Sequence, residues 1–298
     1  MAMNEKDLAP PAEPASAIRP GLMSRHHLED LGVRAASGLV LVATAVGSLF
    51  AGGWLFVLYW LIAALAVHWE WQRLIGAPLP WLRFFSGGFA LCAAAVLYRL
   101  GLTELAFAMI PLAAAFAAWA GGSGFLLWSG FGLFYAGGLL LATLSLRHAP
   151  FFGVCAIGWL FAVVWGTDVC AYFGGRLIGG PKLAPRISPG KTWSGFLVGV
   201  VFGAAFGAFV AHVWPNVQAP LAPVFLLGLA AGAVAQGGDL FESWVKRRYG
   251  VKDSSRLIPG HGGVMDRLDG FIAAAIFAAL FGMARGLPSA AAGLLYWQ

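Results

Sequence analysis

Charge is what this chain has least of. Of its 298 residues only 11% are Asp, Glu, Lys or Arg, against 60% hydrophobic, and mean hydropathy is +0.78. That shortage excludes an ordinary soluble domain, whose surface needs far more polar side chain. Strands of about ten residues with alternating polarity are also missing, which excludes a membrane β-barrel. Cysteine is scarce too: Cys92, Cys155 and Cys170 all lie in apolar segments without CxxC spacing. A disulfide framework or a zinc site is therefore excluded in favour of small buried hydrophobes. The first thirty residues contain no continuous apolar stretch and no small-residue cleavage site, which argues against a signal peptide and for a disordered tail rich in Pro and Ala. No internal duplication emerges, and the recurrent Gly pairs and Ala/Phe runs read as small residues that let helices pack closely.

What is present is a succession of apolar runs, each about 20 residues and so long enough to cross a ~30 Å hydrocarbon core. Backbone polar groups in lipid must be satisfied within the segment, so the expected fold is an all-α polytopic membrane protein with cytoplasmic active-site loops. Breaks at Gly, Pro and polar residues place about nine transmembrane helices, near 35–51, 54–75, 83–99, 103–120, 124–146, 152–176, 193–214, 221–247 and 266–286. Four regions follow: a disordered cytoplasmic tail (1–33), N-terminal membrane helices (34–150), C-terminal catalytic helices and loops (151–287) and a short C-terminal tail (288–298).

Basic residues orient the chain. With the N-terminus cytoplasmic, 16 of the 19 Lys and Arg residues fall on the inner side, leaving only Arg99, Arg147 and Arg285 outside. The two most polar loops, 177–192 and 248–265, then share the cytoplasmic face. An inner-membrane location is expected if the source is bacterial.

The carboxylates concentrate on that same face. Five of the 13 acidic residues precede the first span, and Asp168, Asp239, Glu242, Asp266 and Asp269 lie at cytoplasmic span ends. An ionisable group there is costly unless it faces a bundle interior, a water-filled cavity or a cation. In AQGGDLFESWVKRR, Asp239, Glu242, Ser243 and Lys246 share one helix face by i, i+3, i+4, i+7 spacing. For Glu242 and Lys246 alone, an ordinary snorkelling helix end would suffice. Asp266 and Asp269 open the last span three residues apart, where either could be a simple cap. Asp239 and Asp266 together, on adjacent helices flanking one basic loop, instead suit Mg²⁺, a hard cation that takes one or two carboxylates and fills its remaining positions with water and phosphate.

Between them runs KRRYGVKDSSRLIPGHGGVMDRLD, with nine charges in 24 residues. Lys246, Arg247, Lys252 and Arg267, with Gly262 and Gly263 around His261, make an anion-binding concavity. Arg247 and Arg248 could instead only hold anionic lipid head groups, a lesser alternative that gives no reason for the carboxylates, and His261 could be a base, a phosphate donor or a turn residue. The other polar loop carries Ser188, Lys191 and Thr192 in SPGKT. A P-loop is excluded there, since its first glycine would fall at Pro185. A basic loop with hydroxyls preceding a helix still holds phosphate well. Asp168, just upstream, could face the same cavity or be a buried hydrogen-bonding group. Metal-dependent chemistry on a phosphorylated substrate, with a lipid expected as one reactant, is the class these residues suit.

The run from Ser243 to Asp269 resembles the signature of the phosphatidate cytidylyltransferase (CDP-diacylglycerol synthase) family: Ser243, Lys246-Arg247, Lys252-Asp253, Pro259, His261-Gly262-Gly263, Asp266-Arg267 and Asp269 all fall in its spacing. Asp168 to Arg176 and Ser188 to Trp193 resemble it too, so the detailed likeness covers about 165–270. This chain departs at Ser194, where the family often has Glu, and at Val169 and Cys170. The resemblance implies CMP transfer from CTP to phosphatidate, with CDP-diacylglycerol and pyrophosphate as products. It also implies a homodimer, a cation centre on Asp239 and Asp266 with Mg²⁺ and K⁺ alongside, catalytic roles for Lys246 and Lys252, and supporting roles for Asp168, Glu242, Asp253 and Asp269. No nucleic-acid partner is expected. A secondary transporter for an anionic solute is the main rival, but its polar groups would sit near the midplane. A CDP-alcohol phosphotransferase would need a D-G-x-x-A-R run, and Asp269-Gly270 is followed by Phe-Ile-Ala-Ala.

Overall fold

The computed structural model describes residues 25–122, 124–217 and 219–297. The disordered-tail expectation for residues 1–24 lies outside them. The described chain runs α1 (Arg25–Ala51), α2 (Gly53–Ile75), α3 (Pro80–Arg99), α4 (Thr103–Gly121), α5 (Leu126–Arg147), α6 (Gly153–Ile178), a hairpin of β1 (Lys182–Ala184) and β2 (Ser188–Thr192), α7 (Trp193–Val213), α8 (Leu221–Arg248), α9 (Met265–Ala284) and a short α10 (Ala290–Leu295). Among the described residues, eight helices, α2 to α9, are long and apolar enough to cross a membrane. The first expected span, 35–51, falls short of that length and forms the apolar part of α1, which begins at Arg25, inside the segment read as tail.

Large hydrophobics on the outer faces, such as Phe89, Leu127, Phe151 and Leu177, are more than 70% exposed, as a lipid-facing surface requires. Inside, aromatic rings fill the space between helices. Trp60 of α2 stacks on Phe271 of α9 at 4.9 Å, and Trp71 packs against Trp128, Tyr135 and Phe241 while its indole N–H donates to the Trp128 carbonyl at 2.8 Å. Arg83, fully buried at the start of α3, donates to Gln72 Oε1 (2.6 Å), Ser129 Oγ (3.1 Å) and the Ala77 (2.7 Å) and Pro78 (2.9 Å) carbonyls, so its charge ties the α2–α3 turn to α5.

Two seams of small residues position the polar end of the bundle. On α7, Gly195, Gly199, Gly203 and Gly207 recur every four residues along the face that meets α6; a Cβ at Gly199 would lie 2.6 Å from the Thr167 carbonyl. The backbones approach because no side chain separates them. Between α8 and α9 a Cβ at Gly238 would lie 2.7 Å from the Asp269 carbonyl, and one at Gly270 would lie 3.0 Å from that of Ala235. Thr167 and Gly238 immediately precede Asp168 and Asp239, so both seams close next to a carboxylate.

Candidate functional site

A cavity of about 830 Å³ opens at the end of the bundle where α6, the hairpin, α8 and α9 meet. Asp168 comes from α6, Lys191 and Thr192 from β2, Asp239 from α8, and Asp266, Arg267 and Asp269 from α9. All seven are residues that the motifs single out, drawn from four elements up to about a hundred positions apart in sequence. The polar stretch 177–192, expected as a loop, is partly an antiparallel hairpin, with Lys182 opposite Thr192 and Ala184 opposite Ser188. Gly190-Lys191-Thr192 therefore lies on a strand and runs straight into α7. Thr192 caps that helix by accepting from the Gly195 N–H at 3.1 Å.

Lys191 is the hub of one network. Its Nζ sits 2.7 Å from Asp239 Oδ2 and 2.9 Å from Gln236 Oε1, and Gln236 Nε2 donates to Asp168 Oδ1 at 3.1 Å. Ser243 Oγ donates to the other Asp239 oxygen at 3.3 Å. Gln236 was not singled out by the motifs; its only signal in sequence is an amide inside an apolar helix one turn before Asp239. The Asp239 side chain remains 31% exposed, so it is anchored yet reachable.

Lys246 is the hub of a second, drier network. Its Nζ lies 2.6 Å from Glu242 Oε2 and 2.8 Å from Asp266 Oδ1, and the three side chains are only 11%, 1% and 5% exposed. Placed between two carboxylates, Lys246 neutralises α8 against α9. It does not line the cavity. The two Asp266 oxygens also accept the Ser254 N–H (3.1 and 3.0 Å) and the Gly263 N–H at 2.8 Å.

The glycine loop is built around that aspartate. Ile258 bridges to Gly262, and Gly262 has φ +90°, a region glycine enters without cost. A Cβ there would also approach Asp266 Oδ2 to 2.8 Å. The His261 and Gly262 N–H groups both point to the Ile258 carbonyl. His261 Nδ1 lies 2.7 Å from Ser37 Oγ on α1, and the His261 carbonyl accepts from Arg267 Nε (3.1 Å) and Nη2 (2.8 Å). Arg247 donates to the Val251 carbonyl at 3.2 Å on the exposed end of α8. Lys252 and Asp253 line a separate depression with Arg73, Ser254, Ser255 and Arg256. Ser188 sits at the far end of β2 and does not border the main cavity. Ser194, in place of the family's frequent Glu, bonds the Gly179 carbonyl and so closes the hairpin onto the end of α6.

One carboxylate absent from every motif belongs to this region. Glu70 of α2, wholly buried, accepts the Val264 N–H at 2.8 Å, the Met265 N–H at 2.6 Å, Ser255 Oγ at 2.5 Å and Ser254 Oγ at 3.2 Å. A lone acid near the C-terminal end of an apolar span was the available signal. Among the described residues no three Asp, Glu, His or Cys side chains converge as a self-sufficient metal cage.

This arrangement sets hard oxygen donors against cations around an open cavity of about 830 Å³ at the polar end of the bundle, which suits a polyphosphate. Comparison with known proteins agrees. The chain is 40% identical over 274 residues to the phosphatidate cytidylyltransferase of Brucella suis biovar 1, covering 90% of this chain and 99% of that one. It is 41% identical over 151 residues to the protein of that name from Haemophilus influenzae, covering 50% and 52%, and 43% identical over 129 residues to that from Helicobacter pylori, covering 42% and 46%. The profile of the cytidylyltransferase family matches residues 32–284, well beyond the 165–270 over which motifs alone were legible, and the chain belongs to that family.

Proposed function

We propose that this membrane protein transfers CMP from CTP to phosphatidate. The observation that carries the reading is the single cavity in which Asp168, Asp239, Asp266 and Asp269 face Lys191 and Arg267 at the polar end of an otherwise apolar bundle. The bond formed joins a phosphatidate phosphate oxygen to the α-phosphorus of CTP; the bond broken joins that phosphorus to the oxygen leaving as pyrophosphate. The attacking phosphate is already largely ionised near neutral pH, so no strong base is needed and positioning with charge compensation supplies most of the rate. Lys191, fixed by Asp239 and Gln236, and Arg267, tethered to the His261 carbonyl, would bind and orient the triphosphate. Lys182 and Arg176, on the hairpin and the end of α6, border the same space and would offset charge on the leaving pyrophosphate.

The donor set fits Mg²⁺. Hard carboxylate oxygens border a cavity with room for water and phosphate, and Mg²⁺ is ordinarily held by one or two carboxylates rather than by an all-protein cage. Asp239 and Asp266 would hold it, Asp239 being the more open and Asp266 having to relinquish Lys246 or a backbone N–H to join. Held by these two carboxylates, Mg²⁺ would supply Lewis-acid charge withdrawal from the triphosphate. Asp168 and Asp269 remain for a second cation such as K⁺. A homodimer, and an inner-membrane orientation with the site cytoplasmic, belong to the same proposal; the bias of basic residues toward one face supports the orientation.

Purified full-length protein in detergent, given Mg²⁺, labelled CTP and phosphatidate, is expected to form CDP-diacylglycerol with one pyrophosphate released per turnover. Absence of CMP transfer across varied cations, with anionic solute flux in liposomes, would replace this reading by transport.

A further inference from the structure

Glu70 is 0% exposed and sits on α2, a helix that contributes nothing to the lining of the main cavity. Its donors are all neutral: Oε1 accepts the Val264 N–H and Ser255 Oγ, Oε2 accepts the Met265 N–H and Ser254 Oγ. A carboxylate buried among neutral donors is costly, so its place needs a reason. The reason lies at the start of α9. That helix has no side-chain cap of its own, because its N-cap residue is Val264. Glu70 supplies from another helix the acceptor and the negative charge that an N-terminus calls for.

The next residue after Met265 is Asp266. Ser254 is gripped from both sides, its hydroxyl by Glu70 and its N–H by Asp266. A path of direct contacts thus runs from Glu70 through Ser254 to Asp266 and on to Lys246. Gly263 adds a further sign: a Cβ there would overlap Ser254 Oγ and lie 2.6 Å from Glu70 Oε1, so this glycine is required by the close approach of the hydroxyl and the carboxylate together.

We infer that Glu70 is a positioning residue of the catalytic centre, a carboxylate from the N-terminal half that sets the loop 254–265 and the first turn of α9 so that Asp266 and Arg267 face the cavity. It touches no substrate. The inference deepens the cytidyl-transfer reading and rests on it for its kinetic readout.

Glu70→Gln, nearly isosteric, places an NH₂ donor against N–H groups and should fold. In full-length protein, its kcat with CTP and phosphatidate is expected to fall by about 10- to 100-fold, the usual effect of losing a partner that orients a functional group. The KM for CTP should stay within about twofold, because the cavity's own side chains are intact. Amide hydrogen exchange across 254–265 should rise by roughly tenfold with α3 to α5 unchanged. Ser254→Ala, which removes one donor and leaves the carboxylate, should act in the same direction, and the double variant should be no worse than Glu70→Gln because the two share one path. Wild-type kcat in Glu70→Gln, or a kcat loss with unchanged exchange at 254–265, would overturn the inference; if Glu70→Gln does not fold, wild-type kcat and exchange in Ser254→Ala would do so. If the unmodified protein transfers no CMP, the functional reading fails, and the exchange measurement still judges the clamp.

Discussion

Asp239 and Lys246 show how differently two charges of one motif can be used. Asp239 is partly open and joined to Lys191 at 2.7 Å, so its charge is available to a ligand. Replacing it with Asn keeps the shape and removes the charge; turnover is expected to drop at least about a hundredfold, with the thermal midpoint in detergent unchanged. Retention of wild-type activity at limiting Mg²⁺ would show that Asp239 is no ligand. Lys246 lies between Glu242 and Asp266 where water barely reaches. Lys246→Met leaves two buried carboxylates uncompensated and should destabilise the protein by about 3 kcal/mol, since removing one partner strands the charge of the others. Adding Glu242→Gln should recover part of that loss in thermal unfolding. The sequence pattern put these residues on one helix face but was silent on which would be dry, because burial depends on what α9 sets against that face.

At the scale of elements, the site stands on close helix contacts. Gly238 meets the Asp269 carbonyl and Ala273 across the α8–α9 seam, while its neighbour Gly237 has nothing within 4 Å of an added Cβ. Gly238→Ala should therefore cost about 1–3 kcal/mol by overpacking and depress kcat by moving Asp239 away from Asp269, whereas Gly237→Ala should match the parent in both. Equal effects of the two substitutions on the detergent melting curve would count against the seam. The spans themselves were legible as apolar runs, and the boundaries of α2 to α9 fall close to the expected breaks. The hairpin was not legible. Strands of three and five residues, the first flanked by Pro181 and Pro185 and the second containing Pro189, leave no period to read, and their register exists only in the pairing of Lys182 with Thr192 and Ala184 with Ser188.

For the whole molecule, the consequence is sidedness. Two spans, α7 and α8, separate the hairpin from the loop 248–265, so both must emerge on one face. Arg99, at the end of α3, is separated from the hairpin by α4, α5 and α6 and must emerge on the other. Single cysteines replacing Lys182 or Arg256, in a background lacking the three native ones, should be labelled by an impermeant thiol reagent from the same side of sealed vesicles, and one replacing Arg99 only from the opposite side. Labelling of the 182 and 256 positions from different sides would refute the shared site.

By itself the sequence determined the class of molecule, the span order and the polar face on which the charges gather. Hydropathy and charge act locally, so lipid sorts each segment almost independently of its neighbours. It also carried the family, because motif spacing survives without coordinates. Only the tertiary structure decided which carboxylate is open and which is neutralised, that Gln236 links Asp168 to Lys191, and that Glu70 in the N-terminal half holds a loop nearly two hundred residues away. Those are contacts between segments remote in sequence. Their energies come from desolvation and from hydrogen bonds whose geometry exists only once the helices have packed.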